Sequence, residues 1–430
     1  MRITGKTFFG TSKELGEALK PLYYPRAAEM RAVVTDYLEM ARRRKDFGWA
    51  HADMQLHLAM SLHVELSFLQ QLRAAELNTE EETRLNHYTQ QATRSAANAL
   101  TQVADGIAFR FLNYNLGLCH AFLGNQVSPY AVKQQGFMNV LDVATAVLDR
   151  SEIGSQILIC DLNSITNEGD YILRNSDGYE VVEVKQGLKR RGSRLTRQTD
   201  RLQQLSDFIN QRKGIRDGVE CELVDVPSRT HNFHLLEECF RVASSAGFAV
   251  KQITDYQSIT CLDTNSFTER ESKEVIEDAQ RQVAAIWNDE RTIELSSIHT
   301  RQWAGNVVPM SVFPLGSELI AGLLMGDKIF ISTISLDALF DFVARRGWDV
   351  VDLTETDMEN QPWPVPALAF LIDEKNQEHT TTLSVDLLIA SAVNLITVES
   401  SLDPIKQLLP TQRKNFNWMP SYPSEADIWL

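Results

Sequence analysis

The 430 residues suggest two or three domains, and 43% hydrophobic with 23% charged residues is ordinary for a soluble globular protein. Five scattered cysteines without a CxxC pair exclude a disulfide framework and a zinc site, and fit a reduced, cytoplasmic protein with buried thiols. Met1-Arg-Ile-Thr-Gly-Lys lacks the apolar run of a signal peptide, and the most apolar late stretch, Leu319 to Ile334, is broken by Asp327 and Lys328 and too short to span a membrane.

The first 127 residues read as a helical domain. Lys13 to Arg44, His51 to Leu77 and Thr79 to Leu123 carry long apolar-periodic stretches with few β-branched residues. Pro21 and Pro25 interrupt the first of these. Thr79-Glu80-Glu81-Glu82 has the form of a capping box. The cluster Arg42-Arg43-Arg44-Lys45 either touches nucleic acid or sits at a helix C-terminus, where cations are favoured.

Residues 128–266 read as a strand-rich core. Val132 to Leu148 is an amphipathic helix, and Ser155 to Leu162 is a first strand. Next comes Glu168-Gly169-Asp170, an apolar run, Asp177-Gly178 and a second apolar run ending in Glu183-Val184-Lys185. Asp177-Gly178 has the signature of a two-residue type I′ hairpin turn. With that loop, Arg174 faces Val181, Ile172 faces Glu183 and Asp170 faces Lys185. Opposed residues share a face of the sheet, as do residues two apart on one strand. Asp170, Glu183 and Lys185 therefore converge at one end of the hairpin. Two carboxylates suffice for Mg²⁺ or Mn²⁺, which keep several waters. The backbone carbonyl of Val184 is a further metal donor, and the lysine can orient a water or neutralise charge on a phosphate. This is the chemistry of metal-dependent phosphodiester hydrolysis.

A basic segment follows. Between Lys185 and Arg216 there are ten basic residues and two acidic ones, a local charge of +8 in a chain of −15. Ser193 to Arg212 is helical by pattern, with Leu195, Leu202, Leu205 and Ile209 on one stripe. Lys189, Arg190, Arg191, Arg194, Arg197 and Arg201 are the candidates for contact with a nucleic-acid backbone, DNA before RNA. Cys221 to Val226 is a fourth strand, followed by a helix (Leu235 to Ala246) and a strand (Ala249 to Leu262).

Residues 267–430 read as a small α/β domain. Thr268 to Asn288 is a charged amphipathic helix. Glu318 to Met325 and Lys328 to Thr333 read as strands about a Met325-Gly326-Asp327 turn. Leu336 to Arg346 is a helix, and Val350 to Leu353 and Thr381 to Ile389 are strands. Trp363, Trp418 and Trp429 fall in proline-bearing loops or the tail. No Gly-rich phosphate loop is present, which excludes an ATPase or kinase of that type.

The order helix, three strands, helix, strand, with Asp170 before the second strand and Glu183-Val184-Lys185 on the third, resembles the PD-(D/E)XK nuclease superfamily. The resemblance covers about a third of the chain, with Gly169 in place of the proline. It implies a restriction-endonuclease-like mixed sheet flanked by helices, here between the helical domain and the α/β domain. It further implies catalytic Asp170, Glu183 and Lys185, a metal held by Asp170, Glu183 and Val184, and roles in defence against foreign DNA or in repair. Gln186 matches a functional glutamine of some branches. An additional acid often comes from the preceding helix, where Asp142, Asp149 and Glu152 are open alternatives. The flanking domains would recognise substrate, a protein partner or a second copy of the chain. A non-catalytic nucleic-acid-binding or scaffold protein that kept the fold is the alternative.

Overall fold

The computed structural model describes residues 25–43, 49–122, 135–150, 156–166, 169–184, 193–216, 219–225, 230–268, 271–288, 291–297, 308–351, 368–372, 378–382, 395, 397–400, 402–403 and 416–421. They form a mixed α/β protein of two compact units. One comprises the described residues of Tyr24–Val226, Val308–Leu324 and Arg413–Leu430. The other comprises those of Pro227–Val307 and Met325–Gln412. Among the described residues no helix is long and apolar enough to cross a membrane. Cys119, Cys160, Cys239 and Cys261 are buried thiols, as expected for the cysteines whose side chains are described.

The first unit opens with helices α1 (Pro25–Arg43), α2 (Trp49–Ala74) and α3 (Glu80–Phe111). Pro25 begins α1 rather than interrupting it, because the first helical position needs no N–H donor. The capping box is formed: the Thr79 hydroxyl accepts from Glu82 N at 3.1 Å, and the Glu82 carboxylate accepts from Asn78 N and Thr79 N. Those two main-chain donors hold the Glu82 carboxyl below its usual range. Every residue of α3 from Ala99 to Phe109 is buried, so its second half is the central rod of the unit. Leu58, Leu62, Leu66 and Leu69 of α2 are 1–2% exposed, each contributing about 1.5–3 kcal/mol by burial. Arg26 of α1 makes two bonds, 2.5 and 2.6 Å, to Glu65 of α2.

After α4 (Leu116–Phe122) and α5 (Gln135–Arg150), strands β1 (Gln156–Ile159), β2 (Tyr171–Asn175) and β3 (Gly178–Val182) form an antiparallel meander in the order β1-β2-β3. Helix α6 (Ser193–Gln211) follows, within one residue of its sequence expectation. Next come β4 (Lys213–Arg216) and β5 (Val219–Asp225).

One expectation fails here. The fourth strand does not extend the meander into a single mixed sheet. Instead β5 pairs antiparallel with β4 and parallel with Phe416–Ser421, the strand that holds Trp418, in a separate sheet. The reason lies at the meander's edges. On the β1 edge, buried Gln55 of α2 donates to Ile157 O and accepts from Ile159 N, both at 2.9 Å, as a neighbouring strand would. On the β3 edge, Ser206 Oγ of α6 accepts from Val181 N at 3.2 Å. One turn on, Asn210 accepts from Tyr179 N at 2.9 Å and donates to Tyr179 O at 3.0 Å. Helix side chains have taken the groups that a fourth strand would need.

A second expectation fails at Glu318 to Met325, which is a helix (Ser317–Met325) and not a strand. The run Leu319-Ile-Ala-Gly-Leu-Leu-Met325 lacks period-two alternation, and Leu, Ala and Met favour helix once both faces are covered.

The second unit holds α7 (Phe233–Ala246), β6 (Phe248–Thr254), β7 (Gln257–Asp263), α8 (Ser272–Trp287), β8 (Thr292–Ser296), β9 (Lys328–Ser335) and a helix at Leu336–Arg345. The expected strand Ala249 to Leu262 is two strands of a hairpin turning at Asp255-Tyr256. The sheet is antiparallel in the order β6-β7-β9-β8. Leu262, Phe267, Ile276, Ala279 and Ile329 form a core cluster beneath it. A further antiparallel sheet joins Asp349–Val351, Leu368–Ile372 and Glu378–Thr382.

Candidate functional site

The acids of the hairpin lie where three chain segments leave the meander. The turn is one residue earlier than the sequence suggests. Asn175 pairs with Gly178, so Ser176-Asp177 is the loop. Asn175 Oδ1 accepts from Asp177 N at 2.9 Å, an Asx turn that starts the reversal early. Gly178 then sits in the strand at φ +121°, where a Cβ would lie 2.2 Å from Asn210 Oδ1. Moving a two-residue turn by one position shifts each partner by two. In a regular ladder such a shift keeps the face and changes only the partner. The paired register ends at Tyr171 and Val182, and Asp170 lies just before it, bonded to Val182 and Val184.

Asp170 is bonded through its main chain on both sides. Its carbonyl accepts from Cys160 N at 3.0 Å and its N–H donates to Val182 O at 2.8 Å. Its carboxylate Oδ2 accepts from Val184 N. Burial holds the Asp170 carboxyl above its ordinary range, against the Val184 N–H, which favours the ionised form. Gly169 precedes it at φ +79°, a conformation closed to proline, and a Cβ there would lie 2.7 Å from Val181. Geometry thus requires the glycine where the superfamily's name has a proline.

Sequence reasoning missed Asp161. It lies in the single 3₁₀ turn Cys160–Leu162 that ends β1, and Cys160 is the residue bonded to Asp170. Burial, and then the charge of Asp170, push the Asp161 carboxyl up to about 6. The available signal was an acid at the end of the strand that must pair beside Asp170. The loop behind it is built firmly. Asn163 Oδ1 accepts from Ile165 N, Thr166 N and the Thr166 hydroxyl at 2.8–3.0 Å. Asp105 of α3 accepts from Ser164 N at 2.5 Å and from its hydroxyl at 2.8 Å. Asp142 and Asp149, two of the alternatives for a further acid, are exposed on α5, and Glu152 lies outside the described residues.

The site therefore brings together Asp161 and Asp170, with the Val184 amide holding one Asp170 oxygen and the half-buried Glu183 preceding Val184 in the chain. Among the described residues no three His, Cys, Asp or Glu side chains are gathered tightly enough to hold a metal by themselves. Lys185, Gln186, Lys189, Arg190 and Arg191 lie outside the described residues. Arg194, Arg197 and Arg201 lie on α6, whose backbone is described there. The cluster at the end of α1 separates into different roles. Arg43 pairs with Glu39 at 2.7 Å, while Arg42 turns inward to the carbonyls of Phe313 and Leu315.

No protein-family model, curated protein or solved structure matches the chain.

Proposed function

We propose that the chain is a metal-dependent nuclease of restriction-endonuclease-like descent, acting on nucleic acid with DNA as the first substrate to test. The observation that carries this reading is the closeness of the part-buried acids Asp161 and Asp170 at the open end of the hairpin, whose last strand runs into Glu183, Lys185 and the basic segment. The donors are hard oxygens, and Mg²⁺ or Mn²⁺ needs only one or two carboxylates because it keeps waters. Asp170, Glu183 and the Val184 carbonyl would hold the ion, with Asp161 as the further acid. When bound, it would polarise a phosphoryl oxygen and lower the pKa of a coordinated water. The chain's own residues do the rest. The Val184 N–H fixes the Asp170 carboxylate. Lys185 would balance charge on the phosphate, and the basic residues on and before α6 would hold the backbone through salt-sensitive contacts.

A second reading, nucleic-acid binding without cleavage, is supported by the basic segment Lys185 to Arg216, which can hold a phosphate backbone with no metal chemistry. One assay separates the two. Supercoiled plasmid, linear duplex, single-stranded DNA and RNA are incubated with the protein in Mg²⁺, in Mn²⁺ and in EDTA. Metal-dependent cleavage that falls about a hundredfold or more in Asp170→Ala, Glu183→Ala and Lys185→Ala, with circular dichroism unchanged, supports the nuclease. Salt-sensitive binding with no turnover in either metal supports the second reading. Cleavage unaffected by all three substitutions overturns the site.

A further inference from the structure

A second site lies in the same unit, on α1, α3 and the segment 308–316. These elements enclose a cavity of about 330 Å³, at the low end of the roughly 300–1,000 Å³ typical of small-molecule pockets. Its walls are largely apolar, with Leu38 from α1, Val103 from α3 and Phe313 from the third side. These three are at most 1% exposed. Two guanidinium groups, of Arg42 and Arg110, and the Tyr114 phenol are the charged and polar features that stand out against this lining.

Arg42 is held in an unusual way. Its Nη2 donates to Phe313 O at 2.6 Å and its Nη1 to Leu315 O at 2.5 Å, with a longer contact of 3.5 Å to the Ser317 hydroxyl. All three acceptors are neutral, and among the described residues no carboxylate pairs with it. Burial pushes its pKa down, with no charged neighbour opposing the effect. The residue as a whole is nevertheless exposed, so water and an incoming ligand can both reach the guanidinium. Across the cavity Arg110 Nη1 donates to Ala41 O at 2.9 Å. Main-chain carbonyls thus hold Arg42 by both terminal nitrogens and Arg110 by one before any ligand arrives, which lowers the ordering cost of binding.

The wall is also shaped at some expense. Asn113 and Tyr114 both take the left-handed conformation, at φ 55° and 57°, which costs side-chain-bearing residues roughly 1–3 kcal/mol each. This turn places Tyr114 at the cavity, where burial raises the phenol's pKa and keeps it a hydrogen-bond donor. On the third side, Ser311 donates to Gln102 O at 2.6 Å, and a Cβ on Gly106 would lie 2.3 Å from the Ser311 oxygen. The segment is therefore seated directly on the α3 backbone.

We propose that this cavity binds a small organic anion, a carboxylate or phosphate monoester on a compact apolar body, with the anionic group at Arg42 and Arg110 and the apolar body against Leu38, Val103 and Phe313. The site is separate from the acids of the meander and does not depend on the nuclease reading.

The test uses the full-length chain and naphthalene probes of one shape: 1-naphthoate, 1-naphthyl phosphate, neutral 1-naphthol and cationic 1-naphthylmethylamine, followed by calorimetry and thermal shift. The expected result is binding of one or both anions, with naphthol and the amine weaker by about tenfold or more. The better anion identifies the headgroup. Arg42→Met should weaken the anion by about tenfold or more and leave naphthol unchanged. Because Arg42 also anchors the 313–315 segment, Ala41→Leu serves as a second variant. It fills the cavity, keeps both arginines and should abolish binding of every probe. Naphthol binding as tightly as the anions, anion binding that survives both substitutions, or no anion binding at millimolar concentration overturns the proposal.

Discussion

The meander and the four-stranded sheet each end an antiparallel pair on an acid, and they treat that acid in opposite ways. At the end of β7, Asp263 is paired in register with Lys328 of β9, and the two side chains form an ion pair. Burial works to raise the Asp263 carboxyl. The Lys328 ammonium and the Ser244 hydroxyl, 2.7 Å away, overcome this and hold it below the usual range. At the end of the meander acid meets acid, Asp161 beside Asp170, and burial holds both carboxyls above their usual range. Neighbouring opposite charges stabilise the fold and like charges destabilise it. The first arrangement is complete within the protein. The second accumulates negative charge of the kind that a bound cation would relieve, and this contrast is what the nuclease reading rests on.

The largest break in the comparison is at the completed pair. Asp263→Ala leaves the largely buried Lys328 without its carboxylate and is expected to destabilise the protein by about 3–5 kcal/mol in urea unfolding at pH 7. The sign of the pH dependence follows from the lowered pKa. The folded state favours the ionised form, so the contribution of the pair is present above the ordinary aspartate value of 3.8 and is lost as pH falls through the folded value. The difference between wild type and Asp263→Ala should therefore shrink in acid. A difference that grows in acid would contradict the pairing.

A smaller effect tests how the meander is closed. Gln55→Leu is nearly isosteric but cannot bond Ile157 O and Ile159 N, and leaving both groups buried and unsatisfied is expected to cost about 2–4 kcal/mol. Hydrogen exchange at Ile159 should rise by more than at Val181, whose edge is held by Ser206 on the other side. Equal change at both edges would show that Gln55 acts through general stability alone.

The smallest effect sharpens the acid pair itself. Asp161→Asn removes one of two neighbouring part-buried negative charges, so without divalent metal it is expected to raise stability by up to about 1 kcal/mol at pH 7. The same substitution should remove the rise in melting temperature that Mg²⁺ or Mn²⁺ gives the wild type. A variant that is less stable in EDTA, or that keeps the full metal-dependent rise, would place the cation elsewhere.

Much of the local structure was legible because local chemistry decides it. Thr79 and Glu82 need only each other to start a helix. The stripe of Leu202, Leu205 and Ile209 defines the buried side of α6, and Leu202 and Ile209 are indeed buried. The hairpin was legible in its strands but misplaced in its turn, because Asn175 competes with Gly178 for the reversal through its side chain. The helix at Ser317–Met325 was misread because an unbroken apolar run carries no period. Asp161 was passed over because its significance depends on Asp170, which is close to it only after β1 and β2 pair.

By itself the sequence determined the hairpin that Asp170 precedes and Glu183 follows, since alternation along a strand follows from the backbone and survives a shift of the turn by one residue. Only the tertiary structure decided which acids meet and how the sheet ends. Those outcomes depend on Gln55, Asp105, Ser206 and Asn210, each from a helix far away in the chain or across a loop. Gln55, Ser206 and Asn210 spend these hydrogen bonds on the meander's backbone and Asp105 spends its own on Ser164 in the loop after β1, and no local pattern marks a polar helical residue for that task.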